Sequence, residues 1–199
     1  MPFDHNDHYH RLLLRYVPRS ALTALDVGCG TGRFARRLAA LGLEVDAVDP
    51  AAEAIDAARA AGGPVRYRQA DITELALPRQ HYDYISCLAS LHHMPFTTLA
   101  ALRDALAPGG VLVVLGCAPE TSRTDWAWSL AAVPVNAAAR LAVGARERVV
   151  GRSGERVVAP VRQPVMPLAE VKRAAAELLP GCGVRRLLFW RYLLVYRSP

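Results

Sequence analysis

The segment Leu25-Asp26-Val27-Gly28-Cys29-Gly30-Thr31-Gly32 constrains this chain more than any other. Three glycines at alternate positions follow a short apolar run and precede a helical pattern that begins at Arg33. Glycine reaches left-handed backbone without steric cost and carries no side chain, so such a loop lets the backbone approach a nucleotide-like ligand. An apolar run that stops at such a loop suits a buried parallel strand. Parallel neighbours need crossover connections and helices over both faces of the sheet.

The first 118 residues supply both. Residues 22–27, 44–48, 65–68, 82–88 and 111–115 read as strands, and 33–41, 51–61 and 97–106 as helices, with Thr97 as an N-cap. Gly42, Gly62-Gly63-Pro64 and Pro108-Gly109-Gly110 punctuate them. A helix over 10–16 precedes this core, after a segment 1–10 that reads as too polar to be core. Residues 126–143 read as a further helix, and 168–179 as another that ends at Pro180-Gly181. Strands at 184–190 and 192–197 then follow almost without a gap. Two strands so close cannot both run parallel to the rest, so the last is expected to be antiparallel.

Composition fits a globular chain, with 52% hydrophobic and 21% charged residues. No repeat or low-complexity linker divides it, so one domain is expected over 1–199. Acids and histidines stand where a signal peptide needs a basic start, and the apolar stretch 128–145 is broken by Pro134, Asn136 and Arg140. Cys29, Cys87, Cys117 and Cys182 show no zinc-type spacing. The expectation is a cytoplasmic protein with reduced thiols, no metal and no membrane span. The net charge of +6 is uneven: residues 1–118 carry −1 and 119–199 carry +7.

Two acids fall where the glycine loop needs partners. Asp49 ends the second strand, where a carboxylate can accept from both ribose hydroxyls of an adenosine. Asp71 follows the third strand and can meet the adenine amino group. A dinucleotide site uses the same architecture, but its fingerprint wants a third glycine at position 33, where Arg33 stands. It also prefers an apolar residue to Asp26, and an acid beside the loop serves a pyrophosphate poorly. A sulfonium ligand with an ammonium group is better served.

These features together resemble the class I S-adenosylmethionine-dependent methyltransferases, from Ala21 to about Gly116 and more weakly to the C-terminus. In that family the loop Asp26–Gly32 wraps the methionine moiety, Asp49 binds ribose, and Ala70-Asp71-Ile72 flanks adenine. The run Tyr82-Asp83-Tyr84-Ile85-Ser86-Cys87-Leu88, followed by Leu91-His92-His93, resembles the fourth-strand motif beside the transferable methyl. Leu106-Ala107-Pro108-Gly109-Gly110 resembles the segment before the fifth strand, and Phe189-Trp190-Arg191-Tyr192-Leu193-Leu194-Val195 the closing hairpin. The resemblance implies an α/β, Rossmann-like, doubly wound and mostly parallel seven-stranded sheet. Its strand order is 3-2-1-4-5-7-6, with strand 7 antiparallel and helices on both faces. It also implies a division into an amino-terminal cap or lid (1–20), a cofactor-binding core (21–118), an insertion shaping the acceptor pocket (119–166) and a closing helix and hairpin (167–199). The expected cofactor, S-adenosylmethionine, would touch Asp26, Gly28, Cys29, Gly30, Asp49, Pro50, Asp71, Ile72, Cys87 and Leu88. In related enzymes the amino-terminal segment folds over the cofactor, so His8, Tyr9 or His10 of the lid would reach its methionine carboxylate.

Methyl transfer from a sulfonium is an in-line displacement in which the protein supplies alignment, exclusion of water and sometimes a base. The base candidates are His92 and His93, after the fourth strand, and the amino-terminal set Asp4, His5, His8, Tyr9 and His10; His92 is the favoured one, and His93 reads as structural. Sequence signatures of amino-methylating nucleic-acid enzymes, a Pro-Cys nucleophile and a clustered Asp-Asp-Asn metal site are not found. Lys172, the only lysine, leaves no place for the lysine-containing tetrad of ribose 2′-O-methylation. Trp126, Trp128, Val133, Val135 and Leu141 are candidates for an apolar acceptor cavity. A small-molecule acceptor is the favoured reading. An RNA or protein substrate, encouraged by the basic second half, and an inert cofactor-binding partner subunit stay open, as does the oligomeric state.

Overall fold

The computed structural model describes residues 5–119, 166–188 and 190–199. They form α1 (His5–Leu14), β1 (Thr23–Val27), α2 (Arg33–Ala39), β2 (Glu44–Asp49), α3 (Ala52–Ala60), β3 (Val65–Gln69), β4 (Tyr82–Leu88), α4 (Thr98–Ala105), β5 (Leu106–Cys117), α5 (Leu168–Leu178), β6 (Gly183–Arg186) and β7 (Arg191–Arg197). Short 3₁₀ turns at Ile72–Glu74 and Leu91–His93 follow β3 and β4. The expected helix at 126–143, and Trp126, Trp128, Val133, Val135 and Leu141 with it, lie outside the described residues.

One seven-stranded sheet runs β3-β2-β1-β4-β5-β7-β6. The first five strands are parallel, and β7 is antiparallel to both β5 and β6. This is the order that the family resemblance implies.

Both faces of the sheet are covered, and the period-two alternation of strand side chains sorts them. Leu25, Val27, Val48, Ile85, Cys87, Leu112, Val114, Tyr192 and Leu194 face one layer with Leu99 and Leu102 of α4 and Val171 and Ala175 of α5. Ala24, Val45, Ala47, Tyr84, Val111, Val113, Leu115 and Leu193 face the other, with Tyr9 and Leu13 of α1 and Phe34, Ala35 and Leu38 of α2.

Three expectations are corrected. Helix α1 starts at His5 rather than at residue 10, and Tyr9 and His10 are buried, so these two residues of the amino-terminal segment belong to the packed interior. The helix turns its buried side, Tyr9, His10 and Leu13, toward the sheet and keeps His8 and Arg11 in water. Pro108-Gly109-Gly110 does not separate helix from strand but sits inside β5. Leu106 already pairs with Tyr82, and pairing resumes at Val111 opposite Tyr84, so the intervening residues bulge. Gly109 makes this bend at φ +74°, and a side chain on Gly110 would press on the carbonyls of Ala107 and Tyr82 at 2.8 and 2.9 Å. Finally, β6 stops at Arg186, well short of residue 190. The chain turns there, with Trp190 at φ +59° and the Leu187 N–H donating to the Arg191 carbonyl.

Candidate functional site

β2 lies on one side of β1 and β4 on the other, so the order of connection reverses between β1 and β4. Ligands of open α/β sheets bind outside the carboxyl ends of the strands at such a point. The glycine loop is there, with Gly28, Gly30 and Gly32 at φ of +68°, +53° and +71°. The N–H groups of Gly28 and Cys29 both donate to the Val48 carbonyl at 2.8 and 3.0 Å, which turns the loop over the end of β2.

Asp49 meets the loop with both oxygens. Oδ2 accepts from the Gly30 N–H at 2.8 Å, and Oδ1 from the Ala51 N–H at 2.9 Å. Each carboxylate oxygen offers two lone pairs, so one on each side is left for a further donor. A vicinal diol supplies two such donors. Pro50 is exposed beside it, and Cys29 and Gly30 are half-buried in the loop. Burial and the neighbouring Asp26 and Asp49 push the Cys29 thiol up.

Asp71 is exposed, and its Oδ1 accepts from the N–H and hydroxyl of Thr73 at 2.9 and 2.7 Å. Those bonds hold its carboxyl below the ordinary range and keep it an acceptor. Ile72, the next residue, is buried at the start of its 3₁₀ turn. Asp26 is buried under the loop, and its Oδ1 accepts from the Ser86 hydroxyl at 2.7 Å. Burial pushes its carboxyl up to about 7, against the Ser86 bond and with help from the nearby Asp49 charge.

At the end of β4, Cys87 is fully buried and Leu88 half-buried. The chain leaves β4 through Ala89 at φ +53°, whose N–H donates to the Leu115 carbonyl at 2.7 Å. This bend drives Ser90 across the glycine loop. The Ser90 hydroxyl donates to the Val27 carbonyl at 2.7 Å and lies 3.0 Å from the Cys87 sulfur. A side chain on Gly28 would stand 2.3 Å from the Ser90 Cβ, so position 28 admits only glycine against this neighbour. His92, in the turn that follows, is half-buried with its ring 4.1 Å from that of His93, and the turn packs against β5.

Helix α1 lies beside α2. Asp7 pairs with Arg33, the first residue after the glycine loop, and His10 packs its ring 4.9 Å from Phe34. Tyr9 goes the other way, its hydroxyl donating to the Leu188 carbonyl at 2.9 Å. His10 thus stands near the loop, and Tyr9 points toward the carboxyl-terminal hairpin. Among the described residues no group of three His, Cys, Asp or Glu side chains can hold a metal ion.

The structure therefore gathers Asp26, Gly28, Cys29, Gly30, Asp49 and Pro50 at one end of the crevice and Cys87, Leu88 and His92 at the other, with Asp71 and Ile72 at the edge. Asp49 can hold a ribose diol and Asp71 an adenine amino group, with Ile72 beside it. S-adenosylmethionine fits that set. A pyrophosphate would face the carboxylates of Asp26 and Asp49. Sequence reasoning missed Ser86 and Ser90, which secure Asp26 and Gly28. The pairing of β1 with β4, which brings Asp26 opposite Ser86, was the signal available for the first.

Known proteins resemble this chain in sequence and in fold. Residues 24–110 match the family described as a methyltransferase domain. An uncharacterized methyltransferase of Mycobacterium tuberculosis (strain ATCC 25618 / H37Rv) is 36% identical over 203 residues, taking in 100% of this chain and 98% of that protein. A ubiquinone biosynthesis O-methyltransferase of Xanthomonas euvesicatoria pv. vesicatoria (strain 85-10) is 36% identical over 124 residues, or 59% of this chain and 50% of that protein. The crystal structure of an S-adenosylmethionine-dependent methyltransferase from Mesorhizobium loti superposes with a TM-score of 0.64 over 96% of each chain. At 19% identity that likeness speaks for the fold alone.

Proposed function

The chain belongs to the class I S-adenosylmethionine-dependent methyltransferases, and on that premise we propose that its methyl acceptor is a small molecule. The observation that carries this reading is a set of apolar side chains that follow β4 and β5 and stand at the start of α5: Met94, Phe96, Ala118, Met166 and Leu168 are partly buried and pack onto the core. Mostly apolar sites with a few polar groups suit small ligands. The matched O-methyltransferase of ubiquinone biosynthesis supports it, over half its length. The segment 119–166 completes the acceptor side in this reading, and 1–20 caps the cofactor. No helix among the described residues is long and apolar enough to cross a membrane.

Bound S-adenosylmethionine supplies a methyl group made electrophilic by the sulfonium. Asp49 and Asp71 fix the nucleoside by its hydroxyls and amino group, and Asp26 lies beneath the loop that receives the methionine end. Ser90 holds the glycine loop and the β4 turn as one unit, so cofactor and acceptor sides keep a fixed spacing. His92 takes the acceptor's proton. Alignment supplies the larger part of the rate, and the base contributes roughly 10²–10⁴-fold.

The test is release of S-adenosylhomocysteine with a panel of phenols, amines and thiols, run beside total RNA and mixed protein. Turnover on the panel, reduced in His92→Ala and partly restored at high pH, is expected. Turnover on RNA or protein with none on the panel would overturn the reading.

A further inference from the structure

We propose that the Tyr192 hydroxyl orients the acceptor, donating a hydrogen bond to an oxygen that neighbours the methylated atom. This rests on the small-molecule reading above and adds to it a substrate class: an aromatic hydroxy compound bearing a carbonyl or similar oxygen.

Tyr192 is the second residue of β7 and pairs with Gly116 at the carboxyl end of β5. Its ring lies flat over that glycine. A side chain at position 116 would stand 2.0 Å from Cζ and 2.3 Å from the hydroxyl oxygen. The sequence clears one side chain so that a phenol can cross the end of the strand.

Three other buried tyrosines use their hydroxyls inside the fold; Tyr196 makes no such bond among the described residues, but it stands at the other end of β7, opposite Leu112. Tyr9 donates to Leu188, Tyr82 to Asp46 and Tyr84 to Leu13. Tyr192 is equally buried, at 4% exposure, yet none of the described residues bonds its hydroxyl.

Its surroundings place it on the acceptor side. The thiols of Cys87 and Cys117 lie near enough to act on it electrostatically. Cys87 touches Ser90, and Ser90 touches Gly28, so a short line of contacts joins this phenol to the cofactor loop. Burial drives its pKa far up, so the group is a neutral donor over the whole working range. A neutral donor among apolar walls selects a lone-pair oxygen on an otherwise apolar molecule. In the reaction the acceptor hydroxyl oxygen bonds to the methyl carbon while the carbon–sulfur bond breaks, leaving its electrons on sulfur. The hydroxyl proton passes to the base, and Tyr192 keeps its own proton throughout.

The probes are 3-hydroxyacetophenone and 3-ethylphenol, which match in size and differ in the carbonyl. Turnover and calorimetric binding to the S-adenosylhomocysteine-loaded protein are measured for the wild type and Tyr192→Phe, with thermal unfolding as the folding control. The wild type should prefer the ketone by about 10-fold in kcat/KM or in affinity, the scale of one buried hydrogen bond. Tyr192→Phe should lose about that factor on the ketone and stay within twofold on 3-ethylphenol and on S-adenosylhomocysteine affinity. Equal treatment of both phenols by the wild type, equal losses on both, or no binding of the ketone overturns the role of Tyr192. Methylation of RNA by a wild type that binds neither phenol would instead remove the small-molecule reading on which the proposal stands.

Discussion

Replacing Asp49 by Asn isolates the ribose contact. In the wild type each carboxylate oxygen already accepts one loop N–H, from Ala51 on one side and Gly30 on the other, and has one lone pair for a ribose hydroxyl. Asn supplies a single oxygen. It can serve one N–H and one hydroxyl, and its NH₂ then faces the second N–H, donor against donor. One charge-assisted bond to the ligand is lost and the other becomes neutral, a cost of about 2–3 kcal/mol, or roughly 30–150-fold in Kd. The opposed N–H adds a stability loss of about 1 kcal/mol at this half-exposed position. Calorimetry with S-adenosylhomocysteine checks the first figure and denaturant unfolding the second. The 2′-deoxy analogue of the ligand closes the cycle: removing that hydroxyl should cost the wild type about 10-fold and the Asn variant less. An affinity unchanged within threefold, or an equal 2′-deoxy penalty in both proteins, would refute the assignment of ribose to Asp49.

Gly28→Ala should destabilise by about 2–5 kcal/mol, from left-handed strain and overlap with Ser90. Adding Ser90→Gly should relieve the overlap, so the double variant is no less stable than Gly28→Ala alone; additive losses in denaturant unfolding would show that the contact is not tight. Asp26, with its pKa raised to about 7 by burial, folds in preference as the neutral acid. That contribution is fully present below pH 3.8 and is lost as pH rises to about 7. Asp26→Asn should therefore gain stability relative to the wild type across that window, by up to about 4 kcal/mol, and level off above it; a difference independent of pH contradicts the burial argument. For thiols, Cys182 should react with iodoacetamide first and Cys87, fully buried with its pKa pushed up to about 12, last. S-adenosylhomocysteine should slow Cys29 and leave Cys182 unchanged in peptide mapping; equal slowing of both would indicate general tightening.

The parallel core was legible because β1, β4 and β5 are buried on both faces and the loops between elements are built of glycine. Residues 82–88 were placed to the residue, and strands 1 to 3 within one. What misled were residues whose meaning depends on a distant partner. Pro108-Gly109-Gly110 carries the composition of a terminator, but its place inside β5 follows from the pairing of Leu106 with Tyr82, which no local pattern encodes. His5–His10 reads as solvated until α2 offers Phe34 and Arg33 to its inner side. The site divides in the same way. Asp49 and Asp71 stand at strand ends and are found by counting from the glycine loop. Ser90 and Tyr192 matter because each fills space that a glycine leaves empty on another strand or loop, and that complementarity appears only when the chain has folded.

The placement of β7 between β5 and β6 bears on how the protein reaches this state. β6 leaves the ribosome before β7, yet among the described residues its only neighbour in the sheet is β7. During synthesis β6 has no strand on which to dock, and the edge of β5 keeps its backbone donors and acceptors unpaired until the later strand arrives. That waiting edge carries Val111, Leu112, Val113, Val114 and Leu115, an apolar run suited to pairing with another nascent copy. The nascent chain is thus exposed to self-association in the interval before residues 191–197 are made, and slowing translation upstream of them should lengthen it.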